Sequence, residues 1–298
     1  MRAKKNRSNK RSATPTHPCG QTAKGLREIE PLKTPLQRGV FDWANQGLDV
    51  RHSSSSIAPH DDERTRWRKR TLTLKLVLFD IDGTLLNSGG VSRESKALAT
   101  EDLYGTAGNL RTVHIGGKTD LGLLTDTLGA HGYQPEQLKQ AMGTFEAQYA
   151  KRMSEIIDDY TVQSLPGAHE IVAKLRQRED VLLGIVTGNA SLTTPIKLRA
   201  GGFDPDWFPV VAYGSESANR NDLPKLALKR AQALTGLTIT PEHVWIIGDT
   251  VLDVEAARAV GGNVVIVLTG FEDHEELLAA GPDIVLNDLT EFEERVTI

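Results

Sequence analysis

The sequence predicts a doubly wound α/β fold, in which helices cover both faces of a parallel sheet, with an inserted α-helical cap. Three observations lead to this fold class. Short apolar runs recur from residue 74 onward, helical patterns separate most of them, and one long stretch after the first run is helical throughout. The apolar runs show no in–out alternation, which indicates strands that are buried on both faces.

Six apolar runs are the predicted strands of this Rossmann-like core. They cover residues 74–79, 181–186, 210–212, 244–247, 264–268 and 284–286. The helical patterns between them cover 166–178, 224–234, 251–260 and 272–280, and the last two stop at glycines. Ligands of such a sheet are expected at the carboxyl ends of its strands.

The stretch 88–164 interrupts the alternation. It contains helical patterns over 93–103, 120–128 and 135–157, and no convincing strand. We therefore predict a core of residues 73–87 and 165–298, with residues 88–164 inserted as a helical lid over the carboxyl edge of the sheet.

The first 72 of the 298 residues differ in charge from the rest. They carry 16 Lys and Arg against 7 Asp and Glu, whereas the remainder carries 19 against 32. They show no sustained helix or strand period, which predicts disorder. A transit peptide, a tail that binds a polyanion, and sequence upstream of the true start all fit this composition. Aromatic residues do not interleave with the basic ones, so nucleic acid is not an expected partner.

Composition narrows the function classes further. The single cysteine, Cys19, excludes an internal disulfide framework and a cysteine-based zinc site. No run approaches the roughly 20 apolar residues of a membrane span. We expect a cytoplasmic protein without a membrane partner, or an organellar one if residues 1–72 are a transit peptide.

Four carboxylates follow the predicted strand ends. Asp80 and Asp82 follow the first strand, and Asp249 and Asp253 follow the fourth. Because these strand ends share one crevice, the carboxylates need a cation or protons to neutralise them. Oxygen ligands without nearby Cys or His favour Mg²⁺.

These residue types suit phosphoryl chemistry. An aspartate at a strand end can attack phosphorus, and a second one two residues later can serve as general acid and base. Thr187 and the backbone N–H groups of the tight turn at Gly188 can hold phosphoryl oxygens. One basic side chain is still needed to balance the charge.

Three segments resemble signatures of the haloacid dehalogenase-like hydrolase superfamily. They are residues 80–85 (DIDGTL), residues 187–189 (TGN) and residues 248–250 (GDT) with Asp253. They occur in the family's order, and the resemblance covers about residues 73–298. It implies that Asp80 is the nucleophile and a metal ligand, and that Asp82 is the general acid/base with its carbonyl on the metal.

The resemblance also implies roles for the other two segments. Thr187, Gly188 and Asn189 would bind phosphate. Asp249 would ligate Mg²⁺, and Asp253 would complete the metal site by supporting that ligand.

The family's third signature is a basic residue ahead of the helix that precedes the fourth strand. Arg220 and Lys225 both qualify. Arg220 lies nearer the family's usual position and is favoured, although that position is often Lys.

The resulting hypothesis is a Mg²⁺-dependent phosphatase that hydrolyses a small phosphorylated metabolite through an aspartyl-phosphate. Asp82 favours phosphoryl chemistry, because the family's dehalogenases lack this second carboxylate. A phosphomutase, a phosphonate hydrolase that uses Lys118 as a Schiff base, and a polyanion-binding protein are the alternatives. In the cap, the loop that resembles phosphoglycolate-phosphatase-like members supplies His114, Lys118 and Asp120 as candidate substrate contacts.

Overall fold

Six parallel strands form one sheet in the computed structural model, which describes residues 73–298. The predictions for residues 1–72 lie outside the described residues. In chain order the strands are β1 (Lys75–Phe79), β2 (Leu86–Asn87), β3 (Gln163–Ser164), β4 (Val181–Thr187), β5 (Val210–Tyr213), β6 (Val244–Gly248), β7 (Asn263–Val267) and β8 (Ile284–Leu286). The sheet order is β5-β4-β1-β6-β7-β8, and every neighbouring pair is parallel.

The helices lie between the strands, as the alternating pattern predicts. In chain order they are α1 (Val91–Tyr104), α2 (Asp120–Gly129), α3 (Pro135–Ile156), α4 (Ala168–Gln177), α5 (Thr194–Ala200), α6 (Leu223–Thr235), α7 (Val251–Val260), α8 (His274–Ala279) and α9 (Phe292–Arg295). The short helix α5, between β4 and β5, has no counterpart in the sequence prediction.

Each face of the sheet has its own apolar core. Val77 and Phe79 of β1 pack on one face, with α4 and α9, whereas Leu76 and Leu78 pack on the other, with α6 and α7. This arrangement explains why the strands read as continuous apolar runs. The predicted fold class, a doubly wound α/β sheet with an inserted helical cap, is confirmed.

The inserted helices α1, α2 and α3 build the cap. Phe145 and Tyr149 of α3 are fully buried in a separate apolar cluster between these helices. The prediction that residues 88–164 contain no strand is wrong at its end, because β3 pairs antiparallel with β2. This two-residue ladder joins the chain segments that enter and leave the cap, and it is too short to show a period in the sequence.

The cap contacts the carboxyl edge of the sheet directly. The backbone N–H of Asp120 donates to Gly188 O at 2.7 Å, and that of Leu121 donates to Gly214 O at 3.0 Å. The first turn of α2 is therefore hydrogen-bonded to the loops that follow β4 and β5.

Candidate active site

The turn after β1 places two carboxylates at the sheet edge. The backbone N–H of Asp80 donates to Ile247 O of β6 at 2.8 Å, so the ladder continues up to this residue. Gly83 then takes a φ of 83°, which favours glycine. A Cβ at Gly83 would lie 2.1 Å from Asp249 Oδ2, so only glycine lets the turn approach the carboxylate that follows β6.

Asp80, Asp249 and Asp253 form a buried acidic cluster. Each contributes an oxygen to a group in which all the oxygens lie within 4.8 Å of one another. Burial raises the pKa of Asp80 to about 6, against the opposing charge of Arg220. Burial and the neighbouring carboxylates also raise the pKa of Asp249 well above its usual value.

Arg220 is the basic residue that the fold brings to this cluster. It lies in a 3₁₀ turn, Arg220–Asp222, just ahead of α6. Its Nη2 is 3.0 Å from Asp80 Oδ2 and also donates to Asp253 Oδ1. Its Nη1 donates to the cap carbonyl of Gly117 at 2.8 Å, so one guanidinium contacts both the core and the cap.

Lys225, the alternative basic residue, lies outside the site. Its side chain is 54% exposed, and its Nζ is 3.7 Å from Asp222 Oδ1. Because Lys225 lies in the first turn of α6, it extends into solvent while the preceding 3₁₀ turn points Arg220 inward. The structure thus brings Arg220, and not Lys225, next to Asp80.

Asp253 is held by protein partners on both oxygens. Oδ1 accepts from Arg220, and Oδ2 accepts from the N–H of Thr250 at 3.1 Å and from its hydroxyl at 2.7 Å. These bonds form a capping box at the start of α7. This geometry suits a residue that orients its neighbours, whereas Asp80 and Asp249 keep oxygens for a ligand.

The segment after β4 forms the second side of the site. Thr187 Oγ1 accepts from Asn189 Nδ2 at 2.7 Å, and the same amide donates to Asp82 Oδ2 at 2.8 Å. Gly188 and Asn189 line the cavity, whereas Thr187 is fully buried and is not among the lining residues. A Cβ at Gly188 would lie 2.1 Å from Lys118 O, so this glycine lets cap and core approach each other closely.

Lys197 is a site residue that the sequence analysis missed. It projects from α5, is completely buried, donates to Asn189 Oδ1 at 2.9 Å and pairs with Asp82 Oδ2. Burial would raise the pKa of Asp82, but the charge and hydrogen bond of Lys197, together with hydrogen bonds from Asn189 and Ser88, outweigh it and lower that pKa. A single lysine within an unrecognised seven-residue helix gives no sequence signal.

The cap residues singled out from sequence all line the cavity, with different environments. Lys118 is partly exposed, and its Nζ lies 3.6 Å from Asp126. Asp120 is buried, forms an ion pair with Lys96 and accepts from Ala190 N at 2.7 Å. His114 is 61% exposed, so it contributes to the rim.

The cavity between cap and core has a volume of about 520 Å³. The acidic cluster lies at its core end. Arg93 and Lys96 of α1 line its cap end. The cavity thus has an acidic end and an end with basic side chains.

The donor set at the acidic end fits a hard divalent cation. Asp80 Oδ1 is buried and has no hydrogen-bond partner within residues 73–298. Asp249 accepts one side-chain hydrogen bond, from Thr84 Oγ1 at 2.9 Å. Carboxylate oxygens that are buried, close together and short of hydrogen-bond donors are a typical environment for such an ion.

Fold and site together define a hydrolase with an aspartate-rich centre at the edge of a parallel sheet. A family model described as haloacid dehalogenase-like hydrolase matches residues 74–261. The chain belongs to this family, which confirms the resemblance seen in the sequence motifs and the expectation of a hydrolase.

Several curated proteins are similar to the chain. A phosphoglycolate phosphatase of Synechococcus elongatus is 34% identical over 46% of this chain and 60% of its own length. One of Nitrosospira multiformis is 26% identical over 74% of this chain and 94% of its own length. The tyrosine-protein kinase PtkA of Mycobacterium tuberculosis is 32% identical over 66% of this chain and 63% of its own length. The chain thus spans less than two thirds of the first and third of these relatives.

Solved structures share the fold. A hydrolase from Pseudomonas syringae matches with a TM-score of 0.55 at 22% identity, over 74% of this chain and 97% of its own. CbbY from Rhodobacter sphaeroides, solved with xylulose-1,5-bisphosphate, matches with a TM-score of 0.54 at 20% identity, over 74% and 96%. Within residues 73–298, no helix has the length and apolar character needed to cross a membrane.

Proposed function

We propose that the protein is a Mg²⁺-dependent phosphatase that hydrolyses a small phosphomonoester through an aspartyl-phosphate. The observation that carries this proposal is the pairing of two differently held carboxylates. Asp80 lies among buried carboxylates beside Arg220, with one oxygen that has no hydrogen-bond partner in the described part of the chain. Asp82, two residues later, faces the same cavity and is oriented by Asn189.

Each carboxylate has a distinct role in the proposed reaction. An oxygen of Asp80 attacks phosphorus, and the bond between phosphorus and the ester oxygen breaks. Asp82 gives its proton to the leaving alkoxide and then takes a proton from the water that attacks the aspartyl-phosphate. Inorganic phosphate leaves, and both carboxylates return to their starting states.

The other residues hold charge and phosphate. Arg220 keeps Asp80 ionised and oriented, and its guanidinium can also contact phosphoryl oxygens. Asn189 and the backbone of Gly188 line the opposite wall of the cavity. Thr187 lies behind them and fixes the side-chain amide of Asn189 by accepting its hydrogen bond. We assign Asp249 and Asp80 as ligands of Mg²⁺, which supplies positive charge to the transferred group, and Asp253 as their support.

The cap end of the cavity favours a substrate with a second acidic group. Arg93 Nη1 donates to the carbonyls of Leu110 and Val113, at 3.0 and 2.6 Å. No carboxylate within the described part of the chain pairs with Arg93, so its charge is available to a ligand. Phosphoglycolate, which several relatives are named for, carries a carboxylate beside its phosphate. It is therefore the first substrate to test, and a small soluble substrate of this kind suits a cytoplasmic enzyme.

The test is release of inorganic phosphate from a panel of small esters by the purified full-length chain. Phosphoglycolate, sugar phosphates and p-nitrophenyl phosphate are compared with Mg²⁺, with EDTA, and with the Asp80→Asn variant. We expect release that needs Mg²⁺ and disappears in Asp80→Asn. Folded protein that releases phosphate from no ester would refute the proposal.

Parallel reactions separate hydrolysis from phosphoryl transfer. One contains ATP and a tyrosine peptide, because one relative is named a tyrosine kinase. A second reaction contains a sugar phosphate, and its products are analysed for the isomer that a mutase would form. A third contains a phosphonate, which a hydrolase that uses Lys118 would cleave. Phosphotyrosine, an isomerised sugar phosphate or phosphonate cleavage without ester hydrolysis would replace the phosphatase with that activity.

A further inference from the structure

The buried ammonium group of Lys197 lies behind the candidate acid/base carboxylate. Helix α5 carries this lysine on its inner face, and its side chain has no exposed surface. Taking a charge out of water is strongly unfavourable unless close partners compensate for it. Its hydrogen-bond partners in residues 73–298 are Asp82 Oδ2 and Asn189 Oδ1, and both residues belong to the site.

Lys197 does not itself line the cavity, whereas Asp82 and Asn189 do. Any effect of Lys197 on the reaction must therefore pass through these neighbours. Asp82 Oδ2 is held from two sides, by Lys197 and by Asn189 Nδ2 at 2.8 Å. Asp82 Oδ1 is buried and has no hydrogen-bond partner among the described residues. Holding Oδ2 from two sides fixes the orientation of the whole carboxylate at the cavity wall.

We propose that Lys197 is a positioning residue for proton transfer, which holds the carboxyl group of Asp82 within reach of the leaving oxygen of the substrate. The inference rests on the proposed function, in which Asp82 protonates that oxygen. The proton moves from Asp82 to the ester oxygen while the bond from phosphorus to that oxygen breaks, and it returns from the attacking water. Lys197 keeps its own protons throughout.

This role predicts that the effect of Lys197 depends on the leaving group. A glycolate alkoxide needs a proton as it leaves, whereas p-nitrophenolate is stable without one. Release of the alcohol in a single turnover reports the first step alone, before the water attacks. Misplacing Asp82 should therefore slow the release of glycolate and leave the release of p-nitrophenolate nearly unchanged. A role of Lys197 in folding alone would slow both reactions equally.

The primary experiment compares Lys197→Met with Arg199→Met in the full-length chain. Arg199 is an exposed cation on the same helix, so its replacement controls for charge and for helix sequence. For Lys197→Met we expect the single-turnover rate of alcohol release to fall about 100-fold for phosphoglycolate and about 5-fold or less for p-nitrophenyl phosphate. The Kd for inorganic phosphate should stay within about twofold, because Lys197 does not line the cavity. Arg199→Met should match the wild type on both esters.

A double-mutant cycle keeps the inference testable if the single variant folds poorly. The variant Asp82→Asn/Lys197→Met removes both charges of the pair. If Lys197 acts through Asp82, it should hydrolyse both esters at the rate of Asp82→Asn alone. A further loss of more than about tenfold would overturn the positioning role, as would equal losses on both esters in Lys197→Met. If the wild-type chain hydrolyses no phosphomonoester, the proposed function fails before Lys197 is tested.

Discussion

Two aspartates at opposite ends of the sheet, one before strand β4 and one after strand β1, have opposite electrostatic surroundings. Asp180, just before β4, accepts two hydrogen bonds from Arg178, at 3.0 and 2.8 Å, which lower its pKa to about 2 although partial burial opposes them. Asp80, just after β1, is buried among other carboxylates, and its pKa is raised to about 6. The same side chain is thus a satisfied ion-pair partner at one end and an unsatisfied acid at the other.

The difference shows which end of the sheet contains carboxylates that destabilise the folded state. A carboxylate that is paired and partly exposed contributes modestly to stability. A buried carboxylate that lacks enough partners destabilises the protein unless a ligand neutralises it, and such groups cluster at functional sites. The carboxyl end of this sheet therefore holds buried carboxylates that lower the stability of the ligand-free protein, whereas the amino end holds a paired carboxylate that raises it.

Replacing each aspartate with asparagine gives the largest expected contrast. Asp80→Asn should lower kcat for phosphomonoesters by about 10⁴-fold or more, because it removes the attacking oxygen. Asp180→Asn makes the same chemical change at the other end of the sheet and should leave kcat unchanged. Steady-state kinetics, with circular dichroism to confirm folding, measure both. Substantial turnover by Asp80→Asn would exclude Asp80 as nucleophile.

The two candidate basic residues give the next largest contrast. Arg220→Met should lower kcat about 10²- to 10³-fold, because it removes the cation beside Asp80 and Asp253. Lys225→Met removes an exposed cation five residues later and should stay within about twofold of the wild type. Comparable losses in the two variants would show that the charge near α6, rather than the contact with Asp80, matters.

The sequence predicts the sheet well, because buried parallel strands are continuous apolar runs and glycines mark several helix ends. It also predicts the acidic cluster, because parallel strand ends share one edge. The choice between Arg220 and Lys225 could only be a preference from spacing. Which residue points inward depends on the 3₁₀ turn ahead of α6, and the residue pattern does not reveal that turn.

Two further features could not be predicted, for a different reason. Lys197 and Lys96 have buried ammonium groups, each of which forms an ion pair with a distant aspartate. Lys197 pairs with Asp82, over 100 residues away along the chain, and Lys96 pairs with Asp120, 24 residues away. Lysine is usually exposed, so a single lysine in a helix predicts solvent contact. Such long-range pairs are set by how the cap and α5 pack against the sheet.

Arg93 tests whether the cap end recognises a second acidic group. Arg93→Met should raise KM for phosphoglycolate about tenfold and leave KM for p-nitrophenyl phosphate unchanged, because only the first substrate has a carboxylate to bind. Lys139→Met, which removes an exposed cation from α3, is the control. Equal increases of KM for both esters would assign Arg93 to the shape of the cap rather than to recognition of the carboxylate.

The smallest expected effect is the pH dependence of stability, and its sign distinguishes the two ends of the sheet. Because the pKa of Asp180 is lowered to about 2, its ion pair stabilises the folded state above about pH 4, and this contribution is lost as the pH falls towards 2. The shift corresponds to at most about 2 kcal/mol, and partial exposure reduces it to about 1 kcal/mol. Asp180→Asn should therefore be less stable than the wild type at pH 7 by that amount, and the difference should shrink by about half near pH 3.

Asp80 should show the opposite slope in EDTA. Since its pKa is raised to about 6, the folded state holds a proton that the unfolded chain releases, and wild-type stability falls as the pH rises from about 4 to about 6. Asp80→Asn lacks this titration, so its stability relative to the wild type should grow over the same interval. Urea unfolding of the three proteins at pH 3, 5 and 7 measures both slopes. If the free energy of unfolding of the two variants, relative to the wild type, changed with pH in the same direction, the ends of the sheet would not differ as proposed.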